Sequence, residues 1–421
     1  MRRAVEWVFM VAAALVLSGA LWRLFGGGSS VTNDGDSRIE VVLVIIYSAV
    51  AILAVAEFRR TVGILWRNPA LVALLALACL SSLWSDSPDL VFRRTLGMGG
   101  ATLFGVVLAS RYSFDEQLKV LRWAFRIAAA GTLAVIMASP SRAHMPDGDM
   151  GIRGVFTHKN GLGAAMALAF LVEWYLRDAS LSAKALKWLS LSAFAGLLVI
   201  SNSMTSAVTL VATLGGVWMI RALCVRRGVP LSAVAVFAAI AVLAVTAIGI
   251  GPGDLMGVVG RSPDITGRTE LWSGVVDAIQ QKPLLGYGFS GFWRGATAGS
   301  DAIAGQLQWA PMYSHNGYLE ISLSLGLVGL SLAILLLAVG FKRAWAACSS
   351  GDSPLDYWPL ALLMFIAIHN LAECSIAWQN CLEWSACIAT IAGCDPWVRT
   401  MFDPPEEIED PLPDAAEELI A

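Results

Sequence analysis

Three short stretches of the 421-residue chain concentrate the residues that could do chemistry: "GIRGVFTHKNGLG" (151–163), "GRSPDITGRTELW" (260–272) and "YSHNGYLE" (313–320). The third sets His315 and Asn316 at the mouth of a long apolar run beginning at Gly317. At the first turn of a helix the dipole disfavours an imidazolium, which leaves a ring able to accept a proton from an attacking hydroxyl. Asn316 follows directly, and Gly317 permits close backbone approach. The alternative for His315 is an interfacial side chain bonded to a backbone carbonyl.

Arg268 offers the complementary chemistry. A guanidinium is always charged and presents a planar fork of donors matched to phosphate oxygens. Arg268 stands at the start of an expected helix, whose free N–H groups also favour an anion. Its alternative role is to anchor lipid head groups. Arg153 and Lys159, with Arg261, extend the first role to a shared diphosphate site. His158-Lys159-Asn160-Gly161 repeats the same grammar before another apolar run. It suits phosphate or sugar binding, or helix capping by Asn160. "LLGYGFSGFW" (284–293) interleaves glycines with aromatics, Tyr287 and Trp293 among them. Flat faces of that kind suit sugar rings, and they also build interfacial belts. His369 and Glu373, one helical turn apart in "IHNLAE", either line the same cavity or make an ordinary interfacial hydrogen bond. Glu320, inside an apolar run, is expected to face protein or water.

HExxH, P-loop and GxSxG motifs are missing, so neither a metal site nor a nucleotide site nor any cofactor is expected. An enzyme facing away from the cytoplasm has no ATP, and its donor must arrive activated. A lipid-linked sugar diphosphate meets that need, because its leaving group is anionic and its tail stays in the bilayer.

The elements that must position these residues are membrane helices. The chain is 57% hydrophobic and 14% charged, with mean hydropathy +0.66. Apolar runs long enough to cross a bilayer recur along its length, so the expected fold is all-α, a polytopic integral membrane protein of about twelve transmembrane helices. The expected spans are Val5–Leu24, Val41–Glu57, Ala70–Trp84, Thr95–Ala109, Leu118–Met137, Leu162–Tyr175, Leu186–Ile200, Ser206–Ile220, Leu231–Ile250, Gly317–Phe341, Leu355–Ile368 and Ile376–Ala392. The first is read as an uncleaved span and not as a signal peptide. The chain thus divides into nine helices over 1–250, a large loop over 251–316, three helices over 317–396 and an acidic, Pro-rich, disordered tail over 397–421. Within the loop, "TGRTELWSGVVDAIQQKP" reads as a short interfacial helix with Leu271, Trp272, Val275, Val276 and Ile279 on one face.

Orientation follows from the 29 basic residues. With a cytoplasmic N-terminus, most of them fall on the cytoplasmic side, Arg59, Arg60, Arg67, Lys342 and Arg343 included. The exceptions concentrate in the outward loops 139–161 and 251–316, and all four histidines fall on that same side. Anion binding is the physical reason for such misplaced cations. Net charge of −3 gives no sign of nucleic acid, and the seven scattered cysteines read as small hydrophobes.

"RGVFTHKNGLG", "TGRTELW", "KPLLGYGFSGFW" and "SHNGYLE", in that order, resemble the O-antigen ligase superfamily, in particular its exopolysaccharide-polymerase branch. The motifs cover roughly residues 150–325, and the topology covers the whole chain. The resemblance implies a bacterial inner-membrane glycosyltransferase with both termini cytoplasmic and a periplasmic site in the loop between the ninth and tenth spans. It implies inverting, metal-independent transfer of a glycan from undecaprenyl diphosphate to an acceptor hydroxyl. It assigns Arg268 to the diphosphate and His315 to activation of the acceptor, and it makes a flippase and a chain-length regulator the expected partners. One departure stands out: where the polymerase branch more often reads Gly-Arg-Asp, this chain has Gly260-Arg261-Ser262. The rival readings are a ligase acting on lipid A-core or a protein acceptor, and a transporter or flippase with an anion-binding vestibule. Transporters usually carry broken or charged segments at the midplane and internal repeats; here the polar residues cluster at one interface.

Overall fold

The computed structural model describes residues 2–25, 37–145, 151–225, 266–293, 297–307, 310–349 and 353–402. The expected span Leu231–Ile250, Arg261 and most of the acidic tail lie outside them. The described residues fold into α1 (Arg2–Leu17), α2 (Ser37–Ala56), α3 (Phe58–Trp66), α4 (Pro69–Leu80), α5 (Pro88–Arg111), α6 (Phe114–Ala138), α7 (Pro140–Ala143) and α8 (Lys159–Tyr175). There follow α9 (Leu181–Ile200), α10 (Met204–Ile220), α11 (Thr266–Gln281), α12 (Ala298–Leu307), α13 (Gly317–Ser349), α14 (Trp358–His369), α15 (Leu382–Gly393) and α16 (Pro396–Arg399).

Five of these, α2, α6, α9, α10 and α13, are long and apolar enough to cross a membrane, and a sixth span results if α3 and α4, bent 90° apart, count as one. Other expected spans are real helices that fall short of this measure. The helices α8, α14 and α15 have 17, 12 and 12 residues, and α5 carries Arg93 and Arg94. The long helices turn apolar side chains outward: Val41, Val44, Ile45, Ile52 and Val55 on α2, Val199 on α9, and Val208, Val211 and Trp218 on α10. A belt of that extent is costly in water and natural in lipid. The protein is a polytopic α-helical membrane protein.

The core lies where α15 runs along α5. Trp384 Nε1 donates to Thr102 Oγ1 at 2.8 Å, and Gly105 allows the approach: a Cβ there would fall 2.4 Å from the Ser385 carbonyl. Beside it, α8 is buried along almost its whole length and packs on α6, α9 and α10. Cys348, Cys381, Cys387 and Cys394 are buried and Cys374 is partly buried, in keeping with small hydrophobes.

The helix that begins beside His315 is broken. Gly326 in α13 has φ +64° and ψ −167°, a conformation reserved almost entirely for glycine. The break frees backbone groups, and the Gly-rich stretch 283–290 fills them. Tyr287 and Gly288 donate their N–H groups to the Leu323 and Ser324 carbonyls at 3.0 and 2.9 Å. In return, Leu327 N–H donates to the Pro283 carbonyl at 2.8 Å. Non-helical backbone is tolerated at such depth only where protein satisfies it. Substituting Gly326→Ala forces a Cβ to within 2.1 Å of the Leu284 carbonyl. The expected result is a loss on the order of 3 kcal/mol, read as a lower midpoint in detergent thermal unfolding.

The expected helix in the large loop is α11. Its apolar face is covered by protein: Leu271 and Val275 are fully buried against Phe292, Trp293, Ile303 and Leu323. Ile279 is partly buried against the same cluster, and Val276 is exposed.

Candidate active site

Glu373 follows α14 in an irregular segment and is where four distant parts of the chain meet. Its Oε1 accepts from Asn160 Nδ2 at 2.7 Å and lies 3.4 Å from Arg268 Nη2. Its Oε2 accepts from the Tyr313 hydroxyl at 3.2 Å and lies 3.6 Å from His315 Nδ1, within ion-pair range. Arg268 and His315, far apart in sequence, therefore share one carboxylate. Burial alone would raise the Glu373 pKa. The His315 imidazole, then Arg268 and His369, overcome that and hold it down to about 2. The carboxylate is ionised across the physiological range. Burial, reinforced by Glu373, pushes the Tyr313 hydroxyl well above its usual range, so it stays protonated and donates.

Local structure explains how each side chain is held. Asn316 caps α13, its Oδ1 accepting from the Tyr318 and Leu319 N–H groups at 3.0 and 3.1 Å. That cap satisfies donors a helix start leaves open. Gly317 N–H donates to the Asn370 and Glu373 carbonyls at 2.8 and 2.9 Å, tying the start of α13 to the segment that carries Glu373. No side chain fits there, since a Cβ on Gly317 would lie 2.1 Å from Asn370 Oδ1. Asn370 is pinned in turn, its Oδ1 accepting from the Ser375 and Ile376 N–H groups. Glu320 acts as a buried strut: it accepts from Trp293 Nε1 at 3.0 Å and from the Ser314 N–H at 2.8 Å. Trp272, one turn beyond Arg268 on α11, donates to the Ser314 carbonyl at 2.8 Å. The strut and this bond fix α11 against the residue preceding His315. His315 itself has φ +51°, an uncommon left-handed conformation for a residue with a Cβ, and one that clusters at functional sites.

A cavity of about 120 Å³ opens beside Glu373, lined by His158, Asn160, Tyr313, His369, Trp378 and Glu383 among others. His369 is buried there with both ring nitrogens unpartnered among the described residues. A buried polar group in that state normally has a partner, and an opening beside it is where one would bind.

The geometry thus gathers His315, Arg268, His158, Asn160 and His369. His158 and not Asn160 caps α8, its Nδ1 accepting from the Asn160 N–H at 3.2 Å. Asn160 is thereby left to reach Glu373. Asn316 sits beside the site in a capping role. Lys159 runs its stem along Gly151. Arg153 donates to the Thr157 carbonyl at 3.4 Å and is one of the cations that bear on Arg23. Tyr287 and Trp293 are 6% and 1% exposed and belong to the packing under α11 and the broken helix. Tyr313 and the hub role of Glu373 were missed in the sequence. Tyr313 stands two residues before His315, a spacing that carries no signal without the fold.

The O-antigen ligase family profile matches residues 188–334, a stretch that takes in Arg268, His315 and the break at Gly326. The exopolysaccharide production protein ExoQ of Rhizobium meliloti is 27% identical over 308 residues, 69% of this chain and 68% of its own length. By these matches the chain is similar to the O-antigen ligase superfamily. A shorter match, 35% identical over 77 residues, covers 18% of this chain and 19% of a Rickettsia typhi protein named for polysaccharide ligation. These similarities support an enzyme of the ligase or polymerase type.

Proposed function

We propose that this protein is a member of the O-antigen ligase superfamily and an inner-membrane glycosyltransferase. It joins oligosaccharide carried on undecaprenyl diphosphate to an acceptor hydroxyl at the periplasmic face, without metal and with inversion. The observation that carries this reading is the convergence of Arg268 and His315 on the two oxygens of Glu373, beside a cavity with an unpartnered His369. With Nδ1 turned to the ionised Glu373, His315 holds its proton there and leaves Nε2 as the base, the arrangement in which a carboxylate orients an imidazole. Nε2 takes the acceptor proton as the hydroxyl oxygen bonds to the anomeric carbon. The bond from that carbon to the diphosphate breaks, and Arg268 takes up the charge of the leaving group. Direct displacement inverts the anomeric centre.

Polymerisation is the preferred form of the reaction; the Rhizobium meliloti relative is named for exopolysaccharide production. Ligation to lipid A-core or a protein acceptor is the second reading, favoured by the description of the matching family. A flippase and a chain-length regulator would then act beside it.

The test is reconstitution of the full chain in liposomes with an undecaprenyl diphosphate oligosaccharide, with and without EDTA. Asp34-Gly35-Asp36 and Asp147-Gly148-Asp149, carboxylate pairs outside the described residues, make the EDTA arm informative. New glycosidic bonds of inverted configuration are expected in both conditions. Arg268→Gln is expected to lower transfer about tenfold to a hundredfold at limiting donor, the worth of one charge-assisted hydrogen bond. Movement of the donor across the bilayer without bond formation would instead mark a transporter.

A further inference from the structure

A second cationic pocket lies apart from Glu373. Its walls are the last turns of α6 (Ala134, Val135, Ala138) and Val155, and its rim carries Arg23 and Arg142, enclosing about 350 Å³. Arg23, on the turn after α1, donates to the Gly154 carbonyl at 2.5 Å. Arg142 is exposed on α7. Arg153, next to Gly154, has a buried Nε without a partner among the described residues. Among the described residues, the charged neighbours that bear on Arg23 are themselves cations, Arg153 and Arg142. By contrast, the cations that bear on Glu373 are His315, Arg268 and His369. The two clusters thus draw on different cations among the described residues; Arg153 holds the Thr157 carbonyl, and Thr157 lines the cavity beside Glu373.

Holding three guanidinium groups together costs energy unless an anion joins them. Their planar forks match phosphate oxygens, and the apolar wall suits an acyl or prenyl chain. We propose that Arg23, Arg142 and Arg153 form a second anion site that takes the phosphate of a membrane lipid, either a lipid-linked saccharide or an anionic phospholipid. The site is distinct from the transfer centre and stands whether or not the transfer reaction is the one proposed above.

The experiment uses the full chain carrying Arg268→Gln, in phosphatidylcholine nanodiscs, with inorganic pyrophosphate as the probe and calorimetric titration as the readout. Pyrophosphate is expected to bind this variant, and adding Arg142→Gln or Arg23→Gln is expected to weaken it about tenfold. Arg142 is exposed, so its variant should keep the wild-type circular dichroism and melting profile. Competition by phosphatidylglycerol in the discs would identify a phospholipid as the natural occupant. A pyrophosphate affinity that phosphatidylglycerol leaves unchanged would identify the lipid-linked diphosphate. Absence of pyrophosphate binding to Arg268→Gln would overturn the proposal. So would binding that both second substitutions leave intact.

Discussion

Replacing His315 with asparagine is expected to lower glycan transfer about 10²–10⁴-fold, the contribution of one positioned general base. Asparagine is the informative choice because His315 holds φ +51°, and asparagine tolerates the left-handed region better than other residues with a Cβ. The backbone that ties Gly317 to Asn370 and Glu373 should persist while the proton acceptor is lost. His315→Ala removes the same base with added backbone strain, so it should lose at least as much activity. Both variants should reach the membrane at wild-type levels. Measured transfer in liposomes, or the length distribution of surface glycan in cells, gives the readout. Wild-type product lengths from His315→Asn would show that the imidazole accepts no proton in the reaction.

The second large effect is expected from Glu373→Gln. The carboxylate is buried among Arg268, His315, Asn160 and Tyr313. Removing its charge leaves a guanidinium without its counter-ion, and breaking a buried pair in that way costs about 3–5 kcal/mol. Transfer should fall as well, since the carboxylate then no longer orients His315. The pH dependence has a definite sign. The folded pKa, about 2, lies below the ordinary carboxyl value of 4.5. The stabilisation is therefore complete above pH 4.5 and disappears as pH falls toward 2. The gap in thermal midpoint between wild type and Glu373→Gln should be widest near neutrality and close over that acidic window. A gap that stays constant down to pH 2 would mean that Glu373 stabilises by shape and not by charge.

Much of the architecture is legible in apolar run length alone. The expected boundaries Leu162–Tyr175, Leu186–Ile200 and Ser206–Ile220 lie within α8, α9 and α10, because the run length of apolar residues and the energetic cost of bare backbone in lipid act locally. The bend between α3 and α4 is harder to read. Pro69 restrains Asn68 from helical geometry, yet nothing in the string says that the chain turns through 90° there.

At the site, residue chemistry and local grammar singled out His315, Arg268, Asn160 and His369, since a histidine or arginine at the start of a helix is informative by itself. Pairing is another matter. The same local grammar assigned Asn160 a capping role that His158 performs, and it offered Tyr287 and Trp293 as sugar platforms although both are buried in packing. Their glycine-rich stretch instead satisfies the backbone freed at Gly326, forty residues away in the chain.

By itself, then, the sequence determined that this protein is a bundle of membrane helices and which side chains could handle phosphate and a proton, because hydropathy and functional-group chemistry belong to residues singly. Only the tertiary structure decided that Glu373 joins Arg268 to His315 and that Arg153 holds the Thr157 carbonyl instead. Those pairings depend on where separate helices end relative to one another, and interhelical packing, not any local preference, sets that distance.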